Sequence, residues 1–545
     1  VAVGVAVAAI GCSGQESVAP TTPAPTTSDP SAPAPTPAPA PTPVPTPVPT
    51  PTPTPTAPST TLEEPSPPET RRLDCAEQLP TYVEDAIPGG VGNERLSCWA
   101  MAVAEDPGAP DGRTIEVTYY VWTSAAPADE RPADPIFYAP GGPRGSAFNS
   151  LRIFTNRDIQ GDRDLILMDT RGNGPIPGDE LGLPLSGCPE VYDAVLDVFA
   201  VNRPLPEEYA TYAAGWRACA DRLRADGWDL DRYQSIAVAD DLEALRRALG
   251  YEQVNFYGES YSTLYGLQWM RSHPESLRSV VLDSVVPPDS SWSPASSVAP
   301  QQALFDGMVE WCAASEPCAT ANPDLAAALE RAVTALDADP YEVVVDNFVT
   351  GASVTLSLDG SDLMFIVDGA LDPSTITALP GLITAWDAGD FSILDVYAAR
   401  FQDNAAGGLM ASGAIVCHDS PDAIRSIADV EAVDPPWQHL AYLPNMLCPE
   451  VGVAPADPSF HEPIESAVPT LVVIGELDTA TPADGSRRVA ANVSASTVVT
   501  FDWIGHVPVR SDDCAVAVVR SFYDDPGAPD TSCVASVNAD GLVFS

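Results

Sequence analysis

Val254-Asn-Phe-Tyr-Gly258-Glu259-Ser260-Tyr261-Ser262, followed by a helical apolar pattern to about Arg271, is the stretch on which the fold turns. Its first four residues are apolar or aromatic enough for a buried strand, and the residues after the serine carry helical spacing. A strand that turns directly into a helix holds the residue at the bend in a strained conformation, with its side chain projected outward. Small neighbours are needed so that strand and helix can approach. Gly258 meets that need on one side, and Ser262 stands where a second glycine is usual. Ser260 is therefore the candidate nucleophile.

Outward from this bend, strands and helices alternate. Residues 114–122, 135–139 and 165–169 read as strands, the latter two as buried ones, and residues 236–249 repeat Ala237, Leu242, Leu245 and Leu249 at helical spacing. Further strands are expected at 254–257, 280–283, 471–474 and 498–501. Alternation of this kind predicts an α/β fold, with a mostly parallel sheet and helices on both faces. From about 291 to 460 the rhythm breaks into helical segments, including 301–311 and 325–336. An insertion there is expected to cap the carboxyl edge of the sheet, where ligands bind. The expected layout is an N-terminal segment (1–12), a stalk (13–70), a first core part (71–290), the cap (291–460) and a second core part (461–545).

A serine hydroxyl needs a base to take its proton, and the base needs a carboxylate to orient it. Asp478 ends the strand pattern of LeuValValIleGlyGluLeuAsp, and His506 follows the next strand, in the order Ser, Asp, His. Asp283, at the end of an earlier strand, is the alternative acid. His273, His418, His439 and His461 follow no core strand in this way, and no histidine spacing suggests a metal. No cofactor is expected. Two amide donors for an oxyanion are expected from Tyr261, next to the nucleophile, and from Gly142 in Ala139-Pro-Gly-Gly-Pro-Arg-Gly145.

Composition narrows the setting. Net charge is −50, with 76 acidic residues against 26 basic ones, all arginine. Such a surface repels phosphate backbones and anionic lipid, so nucleic acid is not an expected partner. Residues 1–12 form a short apolar run ending in Gly11-Cys12, which resembles a lipoprotein signal with Cys12 as the lipidated residue, and would confine membrane contact to that anchor. The Pro/Thr-rich tract after it cannot form a core; as polyproline II at about 3.1 Å per residue it would reach up to roughly 150 Å. Export to the surface of a bacterial cell is the expectation. Ten further cysteines fit five disulfides in an oxidising compartment, with each cysteine paired to its neighbour in sequence.

Taken together, these motifs resemble the prolyl aminopeptidase and tripeptidyl aminopeptidase group of α/β-hydrolase serine peptidases, over about residues 71–545. GlyGlyProArgGly (141–145) is similar to the group's HGGPG element, with Ala139 in place of histidine. AspThrArgGlyAsnGly (169–174) is similar to DxRGxG, GlyGluSerTyrSer (258–262) to GxSYG, and GlyGluLeuAspThrAlaThrPro (475–482) to GxxDxxTP. AlaIleValCysHisAsp (414–419) and AlaGlyAspPhe (388–391) are similar to segments of the tripeptidyl branch. The resemblance implies an α/β-hydrolase fold, an oxyanion hole at Gly142 and Tyr261, and release of short N-terminal peptides through an acyl-enzyme. A free N-terminal ammonium would need a carboxylate, and Glu259 and Glu476 are the candidates. Serine carboxypeptidases share GlyGluSerTyr, but the 28 residues from Asp478 to His506 are far fewer than that family places there. Esterase activity on small acyl esters uses the same triad, and a non-catalytic surface lipoprotein on this fold is the reading from another class.

Overall fold

The computed structural model describes residues 67–78, 87–143, 145–173, 187–346, 352–398, 409–420, 422–423, 426–441, 448–539 and 541–544. Cys12, the proline-rich tract, Arg144 and Gly174 lie outside them.

Nine of the described strands build one sheet: β1 (Thr70–Leu73), β2 (Leu96–Ala104), β3 (Thr114–Trp122), β4 (Ile136–Tyr138), β5 (Leu165–Met168), β6 (Val254–Glu259), β7 (Leu277–Asp283) and, after the antiparallel hairpin of β8 (Tyr341–Asp346) and β9 (Ser353–Leu358), β10 (Thr470–Gly475) and β11 (Ser496–Phe501). Their order across the sheet is β1-β2-β3-β5-β4-β6-β7-β10-β11. The first three pairings, β1 with β2, β2 with β3 and β3 with β5, are antiparallel. Every pairing from β5 to β11 is parallel. The order reverses at β4, which lies between β5 and β6, and a crevice opens at such a point beyond the strand carboxyl ends.

Side chains alternate along the central strands into two separate cores. Phe137, Phe256, Val472 and Ile474 face one core, while Ile136, Tyr138, Tyr257, Leu471 and Val473 face the other. The first face is covered by the helices Ser235–Leu249, Ser262–Ser272 and Ala483–Asn492, through residues such as Leu242, Leu245, Leu264 and Val489. The second is covered by Ala147–Arg157 and Asp513–Asp524, through Leu151, Phe154, Val518 and Phe522.

The insertion between β7 and β10 holds the helices Pro294–Ala314, Leu325–Ala338, Gly360–Ala370, Leu379–Asp387 and Leu409–Asp419, together with the β8–β9 hairpin. A second insertion joins it. The helices Pro189–Ala200 and Leu205–Ala225 leave the core after β5 and pack on β9 and on the cap helices Leu409–Asp419 and Cys448–Val451. Among the described residues the disulfides are Cys75–Cys98, Cys188–Cys219, Cys312–Cys318, Cys417–Cys448 and Cys514–Cys533, the neighbour pairing expected from the sequence. Cys188–Cys219 clamps the second insertion, and Cys417–Cys448 clamps the end of a cap helix.

Candidate active site

Ser260 lies between β6 and the helix Ser262–Ser272 with φ 54°, a left-handed conformation that a non-glycine residue adopts at a cost of about 1–3 kcal/mol. The bend is tight enough that a Cβ on Gly258 would fall 2.9 Å from the Phe256 ring and 3.0 Å from the Ser262 carbonyl. Ser262 explains how serine serves where glycine is usual. Its buried hydroxyl accepts from the Glu259 N–H at 2.8 Å and donates to the Glu259 carbonyl at 2.9 Å, closing the bend on itself. The Ser260 N–H donates to the Asp283 carbonyl at 2.9 Å, which anchors the bend to β7.

The loop after β4 presses against this bend. A Cβ on Gly141 would lie 2.6 Å from the Glu259 carbonyl, 3.1 Å from Ser260 Cβ and 3.4 Å from the Tyr261 nitrogen, so only glycine permits the approach. Gly142 follows at φ 96°. Asn173 Nδ2 donates to the Pro143 carbonyl at 3.2 Å and to Thr170 Oγ1, holding the loop from beneath. Asp169 accepts from the Ala147 N–H at 2.8 Å and from the Thr118 and Tyr120 hydroxyls. Arg171 makes a fully buried two-pronged pair with Asp241 at 2.7 and 2.8 Å. The AspThrArgGlyAsn segment is thus the frame of the Gly142 loop.

Asp478 and His506 meet as the sequence order predicts. His506 Nδ1 lies 2.8 Å from Asp478 Oδ2 and 3.0 Å from Oδ1. The carboxylate also accepts from the Ala480 and Thr481 N–H groups and from the Thr481 hydroxyl at 2.7 Å. Burial pushes the Asp478 carboxyl upward, but the hydrogen bond and charge of His506, with the Thr481 donors, hold it below the ordinary carboxylate range. Burial pulls the imidazole down, and Asp478 then outweighs it, helped by Asp283 and Glu259, so His506 stays above its ordinary value. The hydrogen bonds of His506 run to Asp478 and Thr481; among the described residues none joins it to the Ser260 hydroxyl. Such bonds commonly tighten only with substrate in place.

Three contacts carry the His506 loop back to the nucleophile. Ser284, at φ 61°, accepts the Val507 N–H on its hydroxyl at 2.8 Å, and Val507 is itself held at φ 57°, a true outlier for a β-branched residue. The Val509 N–H donates to Asp283 Oδ2 at 3.3 Å. Arg510 makes a two-pronged ion pair with Glu259, the residue before Ser260, through Nε at 2.9 Å and through Nη2. On the cap side, a Cβ on Gly505 would strike Pro373 at 2.9 Å, so the cap closes against the residue before His506.

Other candidates find different partners. Asp283 is fully buried and hydrogen-bonded to the Tyr257 hydroxyl at 2.7 Å, not to His506. Burial, with the nearby Glu259 charge, pushes its carboxyl up to about 7. Glu259 is buried, has both oxygens engaged by Arg510 and takes a further bond from the Tyr138 hydroxyl at 2.7 Å. The structure thus places this expected amine anchor between the nucleophile bend and the loop of the base, paired with Arg510. The half-exposed Glu476 pairs with Arg487, which also reaches Asp484. Arg510 was not singled out in the sequence, since nothing local marks a partner 251 residues away. Among the described residues no group of three His, Cys, Asp or Glu side chains is placed to hold a metal.

Comparison with known proteins fits this geometry. A family model described as alpha/beta hydrolase fold matches residues 186–338, which include Ser260, and one described as TAP-like protein matches 434–534, which include Asp478 and His506. Tripeptidyl aminopeptidase of Streptomyces lividans is 28% identical over 239 residues, 41% of this chain and 42% of that protein. Serine protease Hip1 of Mycobacterium tuberculosis (strain ATCC 25618 / H37Rv) is 25% identical over 217 residues, 37% of this chain and 38% of that one. The chain spans about two fifths of the length of these curated relatives. A solved proline iminopeptidase from Mycobacterium smegmatis covers 78% of this chain and 98% of its own, at 14% identity and a TM-score of 0.35. With this strand order and the strained bend at Ser260, the chain has an α/β-hydrolase fold, and the segment that contains Asp478 and His506 is similar to the TAP-like family.

Proposed function

We propose that this chain is an exported serine exopeptidase that releases short peptides from the N-terminus of oligopeptides. In this reading Ser260 attacks the scissile carbonyl, His506 takes its proton and later returns it to the leaving amine, and Asp478 orients and stabilises the imidazolium. The backbone N–H groups of Gly142 and Tyr261 receive the oxyanion. One observation carries the proposal: the strained Ser260 bend and the Asp478–His506 pair share one frame, bolted together by Glu259–Arg510. The peptidase names of the relatives support the choice of an amide substrate, and the five disulfides support an oxidising compartment. Lipid anchoring at Cys12 completes the reading from sequence alone.

In this reading the ammonium of the substrate is held by an acceptor other than Glu259, which is buried and already paired with Arg510. The test is hydrolysis of a tripeptide p-nitroanilide with a free amino terminus against its N-acetylated form and a short-chain p-nitrophenyl ester. Preference for the free amine by at least about 100-fold, worth roughly 2.7 kcal/mol of transition-state binding, is expected. Equal turnover of the acetylated peptide contradicts an exopeptidase, and turnover of the ester alone favours the esterase.

A further inference from the structure

The segment Ala414–Asp419, distinctive in the sequence, takes no part in the chemistry of the proposed triad. It ends the cap helix Leu409–Asp419 at a carboxylate whose side chain is wholly buried. Asp419 Oδ2 accepts from the Tyr261 hydroxyl at 2.9 Å and from the Ser235 hydroxyl at 2.5 Å, and Oδ1 lies 3.1 Å from His418 Nδ1. Three distant segments therefore meet on one carboxylate: the end of a cap helix, the first residue of the helix Ser235–Leu249, and the residue next to the nucleophile. The cap partner is fixed from behind, because Cys417, two residues before it, is bonded to Cys448.

Tyr261 is held at both ends. Its backbone leads out of the strained φ of Ser260, and its ring packs edge-on against Tyr265 at 5.8 Å and tilted against Trp292 at 5.9 Å. Burial, and next the Asp419 charge, push the phenol well above its ordinary value, so it remains a donor at working pH. A strained bend persists only where its surroundings over-determine it. Tethering the far end of a rigid side chain limits rotation of the peptide plane between Ser260 and Tyr261, whose N–H is the proposed oxyanion donor.

We infer that Asp419 is a positioning residue of the active site: by holding the Tyr261 hydroxyl it aims the Tyr261 amide at the oxyanion and makes that aim depend on the seating of the cap. This rests on the assignment of Ser260 as nucleophile. The cap then does more than select substrates, since its Asp419 completes the oxyanion hole from behind.

Asp419→Ala, Asp419→Asn and Tyr261→Phe test it by steady-state turnover of a free-amine tripeptide p-nitroanilide, with fluorophosphonate labelling of the folded proteins. Loss of an oxyanion donor costs about 100- to 1,000-fold in kcat, and its misalignment should cost a part of that, roughly 10-fold or more. Asp419→Ala and Tyr261→Phe are each expected to lower kcat by about that factor with KM within about twofold, because the donor acts on the transition state. Combining them should cost no more than the worse single change. Asp419→Asn, which keeps an acceptor oxygen, should recover most of the rate. Wild-type kcat in folded Asp419→Ala overturns the inference; should that variant not fold, wild-type kcat in Tyr261→Phe overturns it equally. A wild-type protein that fails to label at Ser260 overturns the underlying assignment and the inference with it, a signature distinct from normal labelling with unchanged variants.

Discussion

At Asp478, burial and hydrogen bonding pull in opposite directions on one carboxylate. Four donors surround it, and they keep the charged form favoured despite its burial. Asp283 shows the converse: its Oδ1 is buried without a partner among the described residues, and burial raises it to about 7. Asp283 ends β7 and Asp478 lies three residues beyond β10, so the sequence offers both as the acid; the donor set that distinguishes them belongs to the folded loop. The raised His506 value has a consequence for activity. The imidazole must be neutral to act as base, so kcat/KM should rise with pH through an apparent value above the ordinary 6.5 of histidine. Asp478→Asn removes the charge that holds the imidazole up. Its residual activity should fall by about 10,000-fold and its acidic limb should move to lower pH. A limb that stays in place would show that Asp478 is not the partner that sets His506.

Among elements, those read most clearly in the sequence bury both faces. The patterns at 165–169, 254–257 and 471–474 became β5, β6 and β10, because continuous apolar runs bounded by turns have few other destinations, and the one at 114–122 became β3, where exposed Thr114 and Glu116 alternate with buried Ile115 and Val117. The β8–β9 hairpin escaped that reading. Its strand Tyr341–Asp346 alternates between half-buried and exposed residues within an otherwise helical insertion, so its apolar signal is weak. The helices Pro189–Ala200 and Leu205–Ala225 join the cap across a wide sequence gap, a relation that periodicity does not encode. The tie between the β6 bend and the β11 loop is of the same kind. Arg510→Ala should leave the buried Glu259 carboxylate without its cation and, because the exposed Arg510 head would be replaced partly by water, cost about 1–3 kcal/mol of stability, measurable by denaturant unfolding. Arg510→Lys should recover only part, since one ammonium cannot replace a two-pronged guanidinium. A loss under about 1 kcal/mol in Arg510→Ala would mean the pair is not a strut.

Over the whole molecule, 76 acidic residues face 26 arginines, and many of the arginines are already committed to ion pairs that hold loops and helices together. The remaining acidic excess repels itself across the surface. Raising ionic strength from 0.1 to 1 M shortens the screening length from about 10 to about 3 Å, which weakens that repulsion while leaving the buried pairs largely untouched. Tm should therefore rise with sodium chloride over this range, and a fall would place the stabilising charges at the surface. The fold class and the three residues of the proposed triad were legible because each follows a strand end in a fixed order. The frame around them was legible only in part: Asn173 and Asp419 lie in segments the sequence marks without showing what they hold, while Ser284 and Arg510 act only through folded contacts.

The most direct trial of the account is covalent labelling by a fluorophosphonate, read by mass spectrometry of the intact protein and its peptides. The wild-type chain should take up one equivalent on Ser260, Ser260→Ala none, and His506→Ala only at a rate slower by several orders of magnitude. Equal labelling of Ser260→Ala, or none of the wild type at neutral pH, would contradict a nucleophile activated at this bend.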